Sequence, residues 1–267
     1  MNRMQDTPGT PKLQPATGTA PPTALTIAGS DSGGSAGMHA DLRTFFACGV
    51  HGMTAVTAVT VQNTVGVTGL VEIPPETVAA QIDAVASDIG VDAAKTGVLS
   101  SAATIEAVVE VCDRHGIGRD GEVPFVVDPV AASRSGEPLL REDALDALRY
   151  QAFPRATLVT PNLDEVRLLT GIEARTRDDL LDAAKAVHDF GPQWVLVKSG
   201  HLPDDPECVD LLFNGTDAIS LPGPRYDTVH THGAGDVFAS AITAALAKGA
   251  AVPDAVMLGK RFVTRSV

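Results

Sequence analysis

Ala24-Leu-Thr-Ile-Ala28, then Gly29-Ser-Asp-Ser-Gly-Gly-Ser-Ala-Gly37, then Met38-His-Ala-Asp-Leu-Arg-Thr-Phe-Phe-Ala47 decide how the rest of the chain reads. A short, continuous apolar run is the pattern of a strand buried on both faces. The glycines make a loop, and Ala36 to Cys48 has helical patterning, stopped by Gly49. Strand, loop and helix then recur. His51–Val61 is β-branched and strand-like, and Pro75–Ile89 is an amphipathic helix with proline in its first turn. Asp92–Lys95 is a short strand, Ala102–His115 a helix stopped by Gly116, and Val123–Val127 a strand ending at Asp128-Pro129. Glu142–Gln151 reads as a helix and Thr157–Thr160 as a strand, with helices opening at Asn162 and Thr176. Trp194–Val197 is a strand, Val209–Leu221 a hairpin, and Ala234–Lys248 and Asp254–Val263 are helices. This alternation predicts an α/β fold with a mostly parallel central sheet between two helical layers. Ligands bind such sheets beyond the carboxyl ends of the strands. The residues expected there are Asp31, Gln62, Lys95, Asp128, Asn162 and Lys198, a polar and charged set.

A second glycine stretch, Thr231-His-Gly-Ala-Gly-Asp236, runs into an alanine-rich apolar helix. Glycine allows a sharp turn with no Cβ between backbone and ligand. The free N–H groups of a helix N-terminus and the helix dipole favour an anion there. Gly233, Ala234 and Gly235 are thus candidates for an anion hole. A carboxylate beside an anion suits a proton acceptor, and anion hole plus base is what phosphorylation of an alcohol requires. Asp236 also suits a plain helix cap, and this stretch alone leaves both open.

The composition, 44% hydrophobic and 20% charged over 267 residues, is that of a globular chain with a sizeable core. A formal net charge of −13 argues against nucleic acid as a partner, since that needs a basic face. Cys48, Cys112 and Cys208 show no metal or disulfide spacing and read as buried, reduced thiols. No apolar run is long enough to span a membrane, and the N-terminus lacks signal-peptide order, so a cytoplasmic enzyme is the simplest placement. Residues 1–22 are proline-rich and without periodicity, and are expected to form a disordered tail. The last helix breaks off at Arg265-Ser266-Val267 with no Gly or Pro stop, so the folded part, residues 23–267, reads as short at its C-terminus.

The first loop is not Gly-x-Gly-x-x-Gly, and no Walker A pattern is present. It does resemble the first signature of the hydroxymethylpyrimidine/phosphomethylpyrimidine kinases of thiamine biosynthesis, over Ala28–Phe45. Thr57–Thr64, Lys95–Leu99, Val127–Val130, Thr160–Glu165, Val197–His201 and Thr231–Asp236 agree with that family in the same order. The resemblance implies a ribokinase-like fold. It also implies transfer of the γ-phosphoryl group of ATP, with Mg2+, to the hydroxymethyl group of a pyrimidine and then to the resulting phosphate. By the same resemblance Ala28, Met38, Asp41, Gln62, Val98 and Val130 surround the pyrimidine, and Lys198, Asn162 and Thr231 serve the nucleotide. Asp128 and Glu165 face the metal, while Asp236 and its glycine turn carry the chemistry. A homodimer is expected as well.

Several of these residues have a second reading. The planar amide of Gln62 matches an aminopyrimidine edge, but it could also satisfy backbone at a strand end. Asn162 with Glu165 three residues on is also a helix-capping pair, and both readings can hold because magnesium keeps several waters. Asp128 could cap the turn before Pro129, and Lys198 could lie at an interface. Lys95, placed likewise before Thr96-Gly97, has the same two readings. His39, His201, His230 and His232 form no metal set, and the last two suit a solvated turn. Many members of the resembled family carry Cys where this chain has Asp236; Asp is usual in the broader fold and is the plainer base. The main alternative is a pyridoxal kinase of the same fold. Another is an inactive metabolite-binding protein.

Overall fold

The computed structural model describes residues 20–132, 139–200, 202, 206–228 and 231–266. The expected tail lies outside them up to residue 19, as do His201 and His230. The strands are β1 (Thr23–Ala28), β2 (His51–Val56), β3 (Ala58–Gln62), β4 (Val67–Glu72), β5 (Ala93–Thr96), β6 (Phe125–Val127), β7 (Leu158–Val159), β8 (Trp194–Val197), β9 (Asp210–Phe213) and β10 (Ala218–Leu221). The helices are α1 (Gly37–Ala47), α2 (Pro75–Asp88), α3 (Ala102–Arg114), α4 (Ala144–Ala147), α5 (Leu163–Thr170), α6 (Asp179–His188), α7 (Ala234–Ala247) and α8 (Val252–Thr264).

Eight strands form one sheet in the order β10-β9-β8-β7-β6-β5-β1-β2. From β2 to β8 all pairings are parallel, and β9 and β10 continue the sheet as an antiparallel hairpin. The strand interiors are buried on both faces, as their unbroken apolar runs require. Alternate residues divide between two cores. Val127, Val159, Val195 and Val197 face α2, α3 and α6. Val126, Leu158 and Leu196 face α7 and α8. Helix α7 is buried from Phe238 to Leu246, so its Ala, Ser and Thr residues allow close packing on every side. This is the αβα architecture that the sequence predicts.

Two stretches depart from expectation. His51–Val61 is not one strand. The chain breaks at buried Thr57, whose hydroxyl donates to the Val98 carbonyl (2.7 Å). Beyond it β3 leaves the main sheet and pairs with β4 as a separate antiparallel ribbon. Strand β4 had no expected counterpart. The stretch expected as a helix over Glu142–Gln151 is regular only over Ala144–Ala147. It widens over Leu148–Ala152 and tightens over Phe153–Arg155, where Pro154 supplies no N–H. Of the cysteines expected to be buried, only Cys112 is; Cys48 and Cys208 are partly exposed, and all three are free.

Candidate active site

The parallel strands end on a common edge, over a cavity of about 700 Å³. The two glycine-rich loops meet there. Gly233 has φ +77°, and a Cβ on it would stand 1.9 Å from the Ser35 carbonyl oxygen, so no other residue fits without moving the first loop. Gly37 likewise tolerates no Cβ, which would lie 2.5 Å from the Gly29 oxygen. The backbone of Gly37 also lies close enough to the Asp236 carboxylate to oppose the rise in its pKa. Of the expected anion-hole donors, Ala234 N–H is spent on Thr231 O (3.1 Å) within the turn. Helix α7 follows, and the N–H groups of Gly235 and Asp236 have no backbone acceptor among the described residues. Lys198, the residue after β8, holds its ammonium 3.5 Å from where a Gly235 Cβ would be. Turn and lysine together make a compact positive head.

Carboxylates balance it. Asp128, following β6, accepts at one oxygen, Oδ1, from Lys198 Nζ (2.8 Å) and from the Thr160 hydroxyl (2.8 Å). Burial works against the Lys198 charge, but Asp128 and Glu165 outweigh it and raise its pKa. Asn162 and Glu165 form the full reciprocal cap of α5: Asn162 N–H donates to Glu165 Oε2 (2.8 Å) and Glu165 N–H to Asn162 Oδ1 (2.9 Å). The capping reading is therefore present, and both residues also line the cavity. Burial pushes Glu165 up to about 7; Lys198 opposes this and Asp128 adds to it. Asp236 is pushed up to about 6, first by burial and then by the nearby Asp41 charge, with Lys95 opposing.

Gln62, Val98, Val130, Asp128, Asn162, Glu165, Lys198, Thr231 and the Gly233–Asp236 turn all line this one cavity. Ala28 and Asp41 do not. The Ala28 side chain is buried, and Gly97 passes so close that a Cβ there would lie 3.0 Å from its own. Asp41 is fully buried behind the wall, where it accepts from Lys95 Nζ (2.9 Å), the Thr26 hydroxyl (2.6 Å) and the Ser240 hydroxyl. Contact with a ligand is thus not open to Asp41 as it stands; its charge reaches the site through Asp236. Lys95 is equally buried; its burial penalty is outweighed by Asp41, Asp236 and Asp128, and its pKa is raised.

Sequence reasoning missed three participants. His232 sits in the cavity wall, not in a solvated turn, with its side chain only 15% exposed and Nε2 3.5 Å from Asp31 Oδ2. Lys260 and Asp210 pair at 2.6 Å at another part of the cavity wall. Fifty residues separate them and neither stands in a motif, so no local signal announces the pair.

A model of the phosphomethylpyrimidine kinase family matches residues 31–267. The chain belongs to that family. The hydroxymethylpyrimidine/phosphomethylpyrimidine kinase of Mycobacterium leprae (strain TN) is 53% identical over 254 residues, 94% of this chain and 90% of that protein. Among solved structures, the ADP complex of Bacillus subtilis pyridoxal kinase aligns with a TM-score of 0.84 at 39% identity, over 92% of this chain and 91% of that one. The phosphomethylpyrimidine kinase of Clostridium difficile 630 aligns with a TM-score of 0.78 at 36% identity, over 91% and 98%. The cavity has apolar side chains at Val98 and Val130 and the Gly233–Asp236 turn in its lining.

Proposed function

We propose that this chain uses ATP to phosphorylate 4-amino-5-hydroxymethyl-2-methylpyrimidine and then the monophosphate, giving the pyrimidine diphosphate for thiamine biosynthesis. The observation that carries this reading is that one cavity holds the Gln62 amide among apolar neighbours and, on its other wall, Asp236 at a glycine turn beside Lys198. The amide and the valines suit a flat aminopyrimidine. The turn and the lysine suit a phosphoryl group in transfer.

In the first step Asp236 takes the hydroxyl proton as the alcohol oxygen attacks the terminal phosphorus of ATP. With a pKa of about 6 it is ionised at neutral pH yet more basic than an ordinary aspartate. The Gly235 and Asp236 N–H groups and the Lys198 ammonium meet the charge on the transferring oxygens. ADP leaves with the electron pair of the broken P–O bond. In the second step the acceptor is a phosphate oxygen, already ionised, and no base is needed.

Magnesium fits the residues present. Among the described residues, the carboxylates Asp41, Asp128, Glu165 and Asp236 interact with the buried cations Lys95 and Lys198, an excess of carboxylate that a divalent ion would offset. Asp128 and Glu165 would hold it, largely through water. Bound with the nucleotide, it would neutralise phosphate charge.

A homodimer fits the outer face of the β3–β4 ribbon, where the paired Val59 and Val71, with Val61, are exposed. Free cysteines and an ATP donor suit the cytoplasm. No helix among the described residues is long and apolar enough to cross a membrane.

The test is a product assay with the hydroxymethylpyrimidine, ATP and magnesium, scoring mono- and diphosphate, with pyridoxal in parallel. Both pyrimidine products support the proposal. Turnover of pyridoxal alone, or binding without ATP consumption, overturns it.

A further inference from the structure

The strand that carries Lys198 to the glycine turn is finished by side chains. Backbone pairing of β8 with β9 runs Val195 to Phe213, Leu196 to Leu212 and Val197 to Leu211. One step further Lys198 would face Asp210, and there the ladder stops. Ser199 N–H donates instead to Asp210 Oδ1 (2.8 Å), and the Ser199 hydroxyl donates to the Val209 carbonyl (2.6 Å). On the other side Lys198 N–H donates to the Pro161 carbonyl (2.9 Å). Two adjacent N–H groups thus pin this strand end, one from the β7 side and one from the β9 side.

Asp210 does its part with one oxygen. The other, Oδ2, accepts from Lys260 Nζ (2.6 Å), which comes from α8. The same ammonium donates to the Cys208 carbonyl (3.0 Å) and lies 3.4 Å from Cys208 Sγ, so each of its three hydrogens has an acceptor. Gly223 closes over the lysine stem, where a Cβ would lie 2.8 Å from Cε. Both charged side chains are almost wholly buried. Such a pair is weak evidence for stability, because desolvation offsets much of the attraction. What it supplies here is direction: with Oδ2 held from α8, Oδ1 stays aimed at Ser199. Helix α8 is itself seated on α7, where a Cβ on Gly259 would lie 2.6 Å from Ile242 Cγ1 and 3.1 Å from the Phe238 ring. One helix therefore braces both the element that begins at the glycine turn and the strand end that bears the lysine.

We infer that Asp210, held by Lys260, is a positioning residue for Lys198: by bonding Ser199 N–H where the β8–β9 ladder ends, it fixes the backbone from which the Lys198 ammonium reaches the glycine turn. The Lys198 ammonium also bonds Asp128 (2.8 Å), so a shifted strand end would draw it toward that carboxylate or away from the turn. Phosphoryl transfer is sensitive to such a shift, because its catalysis is mostly placement of charge.

The inference rests on the proposed function for its reaction. The test measures single-turnover phosphoryl transfer from ATP in Asp210→Asn, Lys198→Met and the two combined, with thermal midpoints and the KM of the pyrimidine as controls. Asparagine brings one oxygen to two donors, so either Ser199 or Lys260 loses its bond. Asp210→Asn should slow transfer about 10- to 100-fold, the range for a displaced reacting group, with the pyrimidine KM nearly unchanged. In the Lys198→Met enzyme it should add nothing, because the ammonium it places is gone. Asp210→Asn with Lys260→Met leaves the oxygen to Ser199 and should recover part of the rate. Ser199→Ala cuts only the hydroxyl bond and keeps the charges paired, so it carries the test if Asp210→Asn does not fold. It should show a smaller loss that also vanishes in the Lys198→Met enzyme. An unchanged rate in Asp210→Asn, or the same loss with and without Lys198, overturns the inference. The cycle runs on whichever acceptor the parent phosphorylates, so a parent active on pyridoxal alone overturns the proposed function and still judges the inference.

Discussion

At the scale of the residue, Asp236 carries a cost and a task. Its pKa is raised to about 6 from 3.8, so ionising it in the fold costs stability. The cost is absent below about pH 4, grows as pH rises through about 6 and is complete above. Asp236→Asn should thus melt higher than the parent near pH 8, with the gap closing toward pH 4; thermal scans across pH would show it, and a constant gap would refute it. The same substitution removes basicity but keeps shape. It should slow phosphorylation of the alcohol by roughly 10²–10⁴-fold and largely spare that of the monophosphate, whose oxygen is already ionised. Single-turnover assays from each substrate decide, and equal losses would reassign Asp236 to positioning. In the parent, the first step should weaken as pH falls through about 6, because the base is then protonated. Gln62→Leu should weaken pyrimidine binding by about 2–3 kcal/mol and leave ATP binding nearly unchanged, read by calorimetry with each ligand.

At the scale of the element, the cap of α5 is a contact of the fold and, on the proposed function, also a part of the nucleotide site. Asn162→Ala loses the reciprocal bonds with Glu165 and should cost about 1 kcal/mol in thermal or denaturant unfolding. Asn162→Ser keeps a capping oxygen on a shorter side chain, so it should hold the stability while raising the KM for ATP. A KM unchanged in Asn162→Ser would leave capping as its whole role. Such local signals are what the sequence displays best. Trp194–Val197 is legible to the residue because an apolar run meets Gly-Pro on one side and a lysine on the other. The glycine turns are legible because only glycine permits their close approach. Ribbon β3–β4 is not, since β2 and β3 are joined through a single residue and the change of sheet is made by Thr57 bonding to a distant carbonyl. Burial of Asp41 is equally hidden. Its partners Lys95 and Ser240 come from other elements, and a carboxylate in a glycine-loop motif looks the same whether it faces a ligand or a lysine.

At the scale of the whole molecule, the exposed valines of the ribbon predict self-association. Val61→Lys should shift the species seen in sedimentation velocity from dimer to monomer, while a parent that is monomeric at micromolar concentration would rule the dimer out. The attachment of the ribbon has a different consequence, one of time. The β3 strand is tied to the first loop by serine and threonine hydroxyls as well as backbone. Gln62 N–H donates to Ser32 Oγ (2.8 Å) and Thr60 N–H to Ser30 Oγ (3.0 Å), where a sheet would supply carbonyls. Opening this wall breaks side-chain bonds near solvent and leaves the eight-stranded sheet whole. Its amides should therefore trade hydrogen for deuterium as one early unit, well ahead of β1 and β5, and slow down when a pyrimidine occupies the cavity. On the proposed function, exchange of that kind would make the wall that contacts the pyrimidine its way in as well, with the lifetime of those hydroxyl bonds setting how often it opens.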